Sequence, residues 1–354
     1  MTTGSEQDNT TKTVQPLAVT IGEPAGIGPD ILIQSLVQEA STLPALVVYG
    51  APDVFEARAR ALGVSIGIDV LSGAPTMEAC VPGRLTVRAV GAGRYDDVGP
   101  GRPSPRAADA VVESIEQAVA DVVAGHCAAI VTNPINKAVL YEAGFKHPGH
   151  TEFLGELAGR HYPGRQWHPV MMLASDMLRV VPLTIHVPLS QVPGMLTPDL
   201  IVQTARIVVE DMVQRFSISA PRIVVAGLNP HAGESGSIGR EDMDIIAPAV
   251  AALRGEGIDA SGPLSADTMF HPEARQGYDV ALCMYHDQAL IPIKALSFDD
   301  GVNVTLGLPF VRTSPDHGTA FDIAGTGRSR PASLIAALRM ARQMADAASG
   351  GGTP

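Results

Sequence analysis

The chain has 354 residues, 45% hydrophobic but only 4% aromatic, which gives a sizeable, mostly aliphatic core and suggests two domains or one large α/β unit rather than a β-sandwich. A formal net charge of −12 argues against nucleic acid as a partner, so any phosphate must be held by a local pocket. The cysteines Cys80, Cys127 and Cys283 are odd in number, far apart and without a CxxC, which argues against a disulfide framework or a thiolate zinc site and for a reducing, cytoplasmic compartment. The N-terminus lacks the features of a signal peptide, and no run approaches the roughly 20 apolar residues of a membrane span.

Residues 1–15 read as a disordered tail, and the C-terminal SGGGTP likewise. A β-branched run at 17–21 predicts a strand. GEPAGIGPD follows, with Gly22, Gly26 and Gly28 ahead of Pro29, which opens a helix to 37. A strand, glycine loop and helix in this order can receive an anion. The spacing is GxxxGxG, not the dinucleotide fingerprint GxGxxG, and the alternative is a tight turn that packs the helix on the sheet.

A strand is expected at 46–49. Ser104-Pro105 reads as the cap of a long helix to 125, with Ala108, Val111, Val112, Ile115, Val119 and Val122 at helical period. A strand at 128–131 ends in Thr132-Asn133-Pro134, and Lys137 opens the next helix. Alternating strands and helices predict a mostly parallel sheet, whose ligands gather beyond the carboxyl ends of strands. Thr132, Asn133 and Lys137 stand at such an end, although Thr132 and Asn133 also read as caps.

His150-Thr151 open a further helix whose amides favour an anionic ligand, and Thr151 as an N-cap is a compatible reading. Strands are expected at 168–174 and 178–185, the second ending in Thr184-Ile185-His186. Thr197-Pro198 caps a helix to 216 with Ile201, Ala205, Val208 and Met212 on one face. A strand at 222–228 runs into NPHAGESGSIGRED, which carries His231 and Glu234. A helix at 245–254 and a loop with Asp267 come next, and the last helix spans 333–347.

The densest stretch is CMYHDQALIPIKALSFDDGVNVTLGLPFVRTSPDHG, residues 283–318. An apolar strand at 278–285 leads at once into His286-Asp287, and Lys294, Asn303 and Arg312 follow at loop-like spacings. His-Asp at a strand end, then a cation, an amide and a second cation, suggests a metal or proton-transfer site beside an anion pocket. Taken singly, each residue is also a solvated charge or an ordinary pair. His186, His231 and His286 each follow an apolar strand-like run. Three neutral imidazoles can hold a divalent ion and leave room for water or substrate, while satisfied structural histidines are the alternative.

GEPAGIGPD, TNPINK, GHTEF, TIHVPLS, GLNPHAGE, MYHDQ and the long run from IKALSFDDG to FDIAG together resemble the 4-hydroxythreonine-4-phosphate dehydrogenase family of pyridoxal 5'-phosphate biosynthesis, from about 17 to about 344. The resemblance implies divalent-metal ligands at His186, His231 and His286, and substrate contacts at His150, Thr151, Lys294, Asn303 and Arg312. It implies a homodimer with the active site at the interface, built from both subunits. The implied fold is two-domain α/β/α like that of the isocitrate and isopropylmalate dehydrogenases, not a Rossmann unit, which accounts for the missing fingerprint. The division expected is 16–140 with 305–347, against 141–304. His317, Gly318, Thr319, Ala320 and Asp322 fall in a segment similar to the nucleotide loop of those enzymes and are expected against NAD or NADP. The ion expected from the resemblance is zinc, magnesium or cobalt. Asp267 and Asp287 are candidates for orienting a ligand or relaying a proton. Rival readings are a paralogue acting on a four-carbon sugar-acid phosphate or a cyclic dihydrodiol, a metal-dependent phosphohydrolase, and a non-catalytic metabolite-binding protein.

Overall fold

The structure is a computed structural model and describes residues 14–350 apart from 92, 96 and 148. Most of the expected N-terminal tail and the end of SGGGTP lie outside these residues, while Ser349 and Gly350 finish the last helix. In chain order come β1 (Leu17–Thr20), α1 (Gly28–Glu39), β2 (Leu46–Gly50), α2 (Pro52–Leu62), β3 (Gly67–Val70) and β4 (Arg84–Ala89). Next are α3 (Ala108–Val123), β5 (Ile130–Val131), α4 (Lys137–Glu142), α5 (His150–His161), β6 (Val170–Ala174) and β7 (Arg179–Thr184). Then follow α6 (Val192–Met195), α7 (Pro198–Phe216), β8 (Ile223–Ala226), α8 (Ala247–Gly255), β9 (Ala260–Leu264) and α9 (Pro272–Arg275). The chain closes with β10 (Val280–Tyr285), α10 (His286–Leu296), β11 (Val302–Leu306), β12 (Arg312–Pro315) and α11 (Ala332–Gly350).

Twelve strands among the described residues form one sheet in the order β3-β4-β2-β1-β5-β12-β11-β6-β7-β10-β8-β9. The strands from β3 to β12 are mutually parallel, as are β7, β10, β8 and β9. Between these halves β11 pairs antiparallel with both β12 and β6, and β6 pairs antiparallel with β7. The two parallel halves therefore run in opposite directions, unlike the strand order of a Rossmann unit. This is the α/β class that the alternation predicts.

Strands β1 (LAVT) and β8 (IVVA) are buried along their whole length, because helices cover both faces. Each buried Val or Leu contributes on the order of 2 kcal/mol. The sequence reading misses β3, β4 and β9. Strands β3 and β9 are the two edges, half-exposed, and β9 carries a Gly-Pro that tolerates an edge position. β4 lies beside the β3 edge and carries an arginine near each end.

Local signals settle the helices unevenly. The Thr197 side chain accepts the Leu200 N–H at 3.1 Å, Pro198 opens α7, and Ile201, Ala205, Val208 and Met212 are buried. Ser104 makes no such cap; a 3-10 turn at Pro105–Ala107 precedes α3. Lys294, Asn303 and Arg312 do not sit in loops as their spacing suggested: they lie on α10, β11 and β12. A short turn at Gly307, with φ at +73°, joins the last two strands, and a Cβ there would lie 2.5 Å from the His168 carbonyl oxygen.

Candidate functional site

The antiparallel middle of the sheet builds the site. Asn303 pairs with Ser314, and Thr305 with Arg312, across β11 and β12. Directly opposed residues, and residues two apart on a strand, share a face, so all four side chains project together. Thr313 points the other way and donates to the Ala337 carbonyl of α11 at 2.9 Å.

Over that face lies a cleft of about 440 Å³. One wall comes from the end of β5 and the starts of α4 and α5, with Thr132, Asn133, Lys137, His150, Thr151 and Glu152. The other comes from the ends of β7 and β10, with His186 and His286. The carboxyl ends of β5 and of β7 point in opposite directions along the sheet. The strands between them, β12, β11 and β6, are only four or five residues long, and one cleft reaches both ends.

Arg312 is the deepest charge in the cleft, 4% exposed. Its Nε and Nη2 donate to Thr132 Oγ1 at 3.1 and 2.6 Å, and its Nη1 donates to Thr305 Oγ1 at 2.8 Å and to Asn303 Oδ1 at 3.4 Å. None of these partners is a carboxylate. Burial pulls its pKa down to about 10, so it remains charged at neutral pH. A buried guanidinium held only by neutral oxygens is oriented without being neutralised, and is suited to an incoming anion.

Beside it, His150 opens α5, whose N-cap is Gly149 without a side-chain cap, so Thr151 does not take the capping role. His150 Nε2 is buried without a hydrogen-bond partner. Burial, then the charges of Arg312 and Lys137, hold its pKa well below the ordinary histidine value. Thr132 is likewise no cap: α4 is capped by Asn136, whose Oδ1 accepts the Val139 N–H at 3.0 Å. Asn133 donates Nδ2 to the Thr20 carbonyl at 2.9 Å, and its buried Oδ1 has no partner.

The histidines hold the opposite wall. The rings of His186 and His286 stand 5.7 Å apart, centre to centre. His286 Nδ1 lies 2.7 Å from Asp287 Oδ1, which leaves Nε2 free to face a ligand. His186 and His231 both have φ at +52°, a conformation uncommon for a non-glycine residue. His231 follows β8, the neighbour of β10, and lies near Asp267, whose pKa is lowered first by the Ser265 hydroxyl and more weakly by His231. It does not line the cleft. Among the described residues no group of three His, Cys, Asp or Glu side chains gathers closely enough within one chain to hold a metal ion. The donor chemistry still fits a borderline divalent cation: paired imidazoles, one oriented by a carboxylate, with a third at the end of an adjacent parallel strand.

Lys294 reaches neither wall. It forms an ion pair with Asp316 and donates to the Asp316 carbonyl at 3.0 Å. His317 and Gly318 line the cleft; Thr319, Ala320 and Asp322 continue away from it. His317 Nε2 is buried without a partner, and Ala320 has φ at +43°. An unsatisfied ring nitrogen beside an open glycine is compatible with a polar ligand here.

The GEPAGIG loop supports this segment instead of binding an anion. Its amides are already occupied: Glu23 N bonds to the Pro134 carbonyl at 2.8 Å, Gly26 N to Glu23 O at 3.0 Å, and Ile27 N to Thr319 O at 2.9 Å. A Cβ at Gly26 would come within 2.8 Å of Thr319 O. Beneath it, Arg58 donates to the Gly26 and Pro24 carbonyls at 2.7 and 2.9 Å and pairs with buried Asp30, whose Oδ1 accepts Gly325 N at 2.7 Å. The tight-turn alternative is the one found.

Thr305, Ser314, Asp316 and Glu152 were not anticipated as part of the site. Thr305 carried a signal in the sequence, since it lies two residues from Asn303 on an alternating strand.

The family described as Pyridoxal phosphate biosynthetic protein PdxA matches residues 42–341. A 4-hydroxythreonine-4-phosphate dehydrogenase of Bradyrhizobium diazoefficiens is 56% identical over 339 residues, 94% of this chain and 98% of that protein. One of Xanthobacter autotrophicus is 55% identical over 336 residues, 94% of each. The crystal structure of the Klebsiella pneumoniae 4-hydroxythreonine-4-phosphate dehydrogenase superposes with a TM-score of 0.83 at 36% identity, covering 94% of this chain and 99% of that one. The chain belongs to the PdxA family of pyridoxal phosphate biosynthesis and is a dehydrogenase.

Proposed function

We propose that this chain carries out the NAD-dependent, divalent-metal-dependent oxidation of 4-phosphooxy-L-threonine to 2-amino-3-oxo-4-phosphooxybutanoate. That β-keto acid then loses carbon dioxide to give 3-amino-2-oxopropyl phosphate, because its ketone accepts the electrons of the breaking bond. The observation that carries the reading is Arg312, a buried, charged guanidinium with neutral partners, facing two imidazoles across one cleft.

Arg312 binds the phosphate through donors that Thr132 and Thr305 hold in a fixed plane, and Asn303 adds a neutral group. His150 presents a neutral ring whose Nε2 has no internal partner and is available to a substrate oxygen or nitrogen, with Thr151 beside it. His186 and His286 would hold the divalent ion, with His231 completing the set from an adjacent strand end or across a dimer interface. Bound there, the ion would polarise the substrate hydroxyl, and NAD would accept the hydride. Asp287 keeps the His286 ring oriented, and Asp267 stands by His231 as a candidate for the same task or for moving the proton. His317, Gly318, Thr319, Ala320 and Asp322 form the expected nucleotide segment, braced from below by the GEPAGIG loop. Lys294 reaches a phosphate only by exchanging Asp316 for it.

The reading divides the chain into 16–140 with 305–347 and 141–304, and treats it as a cytoplasmic homodimer. Among the described residues no helix is long and apolar enough to cross a membrane.

The test is NADH absorbance after adding 4-phosphooxy-L-threonine, divalent ion and NAD. Phosphate release without NAD would replace this reading with a phosphohydrolase. Faster turnover of threonate 4-phosphate would move the substrate to the sugar-acid paralogue.

A further inference from the structure

Among the described residues lining the cleft, only Arg312 and Lys137 are lysine or arginine. Arg312 is buried, whereas Lys137 is exposed at the first residue of α4. Among the described residues its ammonium makes no ion pair or hydrogen bond. It is not simply extended into water. Its Nζ lies 3.2 Å from the point where a Cβ on Gly149 would stand, over the first turn of α5. A cation at the positive end of a helix is electrostatically misplaced unless an anion lies between them.

The neighbourhood points to a ligand. Glu152 Oε2 lies 3.2 Å from that same point but makes no ion pair with Lys137. Asp316, the other carboxylate of the cleft, is taken by Lys294. His150, next to Gly149, aims its buried Nε2 at no protein group.

We propose that Lys137 binds substrate directly, taking the carboxylate of a phosphorylated amino acid whose phosphate lies at Arg312. This rests on the substrate class proposed above. A four-carbon substrate carries its two anionic groups at opposite ends, and the cleft offers one cation deep and one at the mouth. Arg312, planar and rigidly held, suits the phosphate; a flexible ammonium suits the smaller, outer anion.

The experiment titrates the full chain by calorimetry with two probes, 4-phosphooxy-L-threonine and O-phosphoethanolamine, which has the phosphate and amine but no carboxylate. Lys137→Gln weakens the first about ten-fold or more and leaves the second within about two-fold. Lys137→Arg restores most of the loss, and in turnover KM rises more than kcat falls. Equal loss for both probes, or no loss for either while the wild type binds both, overturns the assignment of Lys137 alone. A wild-type chain that binds neither probe and forms no NADH brings down the substrate reading as well.

Discussion

Arg58 and Arg312 are both buried arginines, and they do opposite things. Arg58 is 3% exposed, pairs with Asp30 and donates to two backbone carbonyls, so its charge is spent inside the fold. Arg312 is about as buried at 4%, yet meets only hydroxyl and amide oxygens. The first ties α1, α2 and the GEPAGIG loop together; the second keeps its charge for something that is not protein. What separates a structural cation from a binding cation here is the formal charge of its partners, not its depth. Lys294 gives the same lesson in reverse, since the resemblance makes it a substrate contact while the free chain quenches it with Asp316.

The comparison can be broken most sharply at Arg58. Arg58→Ala leaves Asp30 buried and unpaired, and unfolding in urea should show a loss of about 3–5 kcal/mol. A loss below about 1 kcal/mol would mean the pair is not holding the loop. Arg312→Gln should act the other way round. Stability should hold or rise, because a buried charge without a counter-ion is removed, while kcat/KM falls about 100-fold or more, equivalent to about 2.7 kcal/mol. Unfolding and steady-state kinetics on the same preparation separate the two effects, and a variant that unfolds easily while keeping its kcat/KM would reverse the roles assigned here.

Thr132→Val sharpens the point about partners. It removes the acceptor of two Arg312 N–H groups without changing any charge. A drop in kcat/KM of about ten-fold, with KM rising, is expected. Unchanged kinetics would show that Thr305 and Asn303 suffice to orient the guanidinium.

The smallest effect is in pH. His150 and His317 both have pKa values lowered mainly by burial. Unfolding returns them to about 6.5, so below that value the unfolded chain binds more protons than the folded chain. Stability is therefore fully present above about pH 6.5 and is lost as pH falls toward the lowered values. Urea midpoints at about pH 7.5 and about pH 5.5 should differ in that direction, and His150→Gln should flatten the slope. An unaltered slope would assign the pH dependence to other groups.

Much of the architecture was legible beforehand because it is written locally. Aliphatic runs at 17–21, 46–49, 222–228 and 278–285 read as buried strands, and Thr197-Pro198 with its periodic apolar face read as a capped helix. Of the strands that escaped notice, β3 and β9 are sheet edges whose residues are half-exposed and so carry weak apolar signals, and β4 lies beside the β3 edge. Asn303 and Arg312 were singled out by type but misplaced in loops. Their strands are short, and β12 is polar in sequence although buried in fact.

The sequence by itself determined the α/β class, the family, and the residue types available for chemistry, because local periodicity and long shared motifs depend only on neighbours along the chain. Tertiary structure alone decided which charges are free. Whether Arg312 meets a hydroxyl or Lys294 meets Asp316 depends on strand register and on side chains up to 180 residues apart. The same holds for His186 and His286, which meet because β7 and β10 are parallel neighbours whose ends coincide.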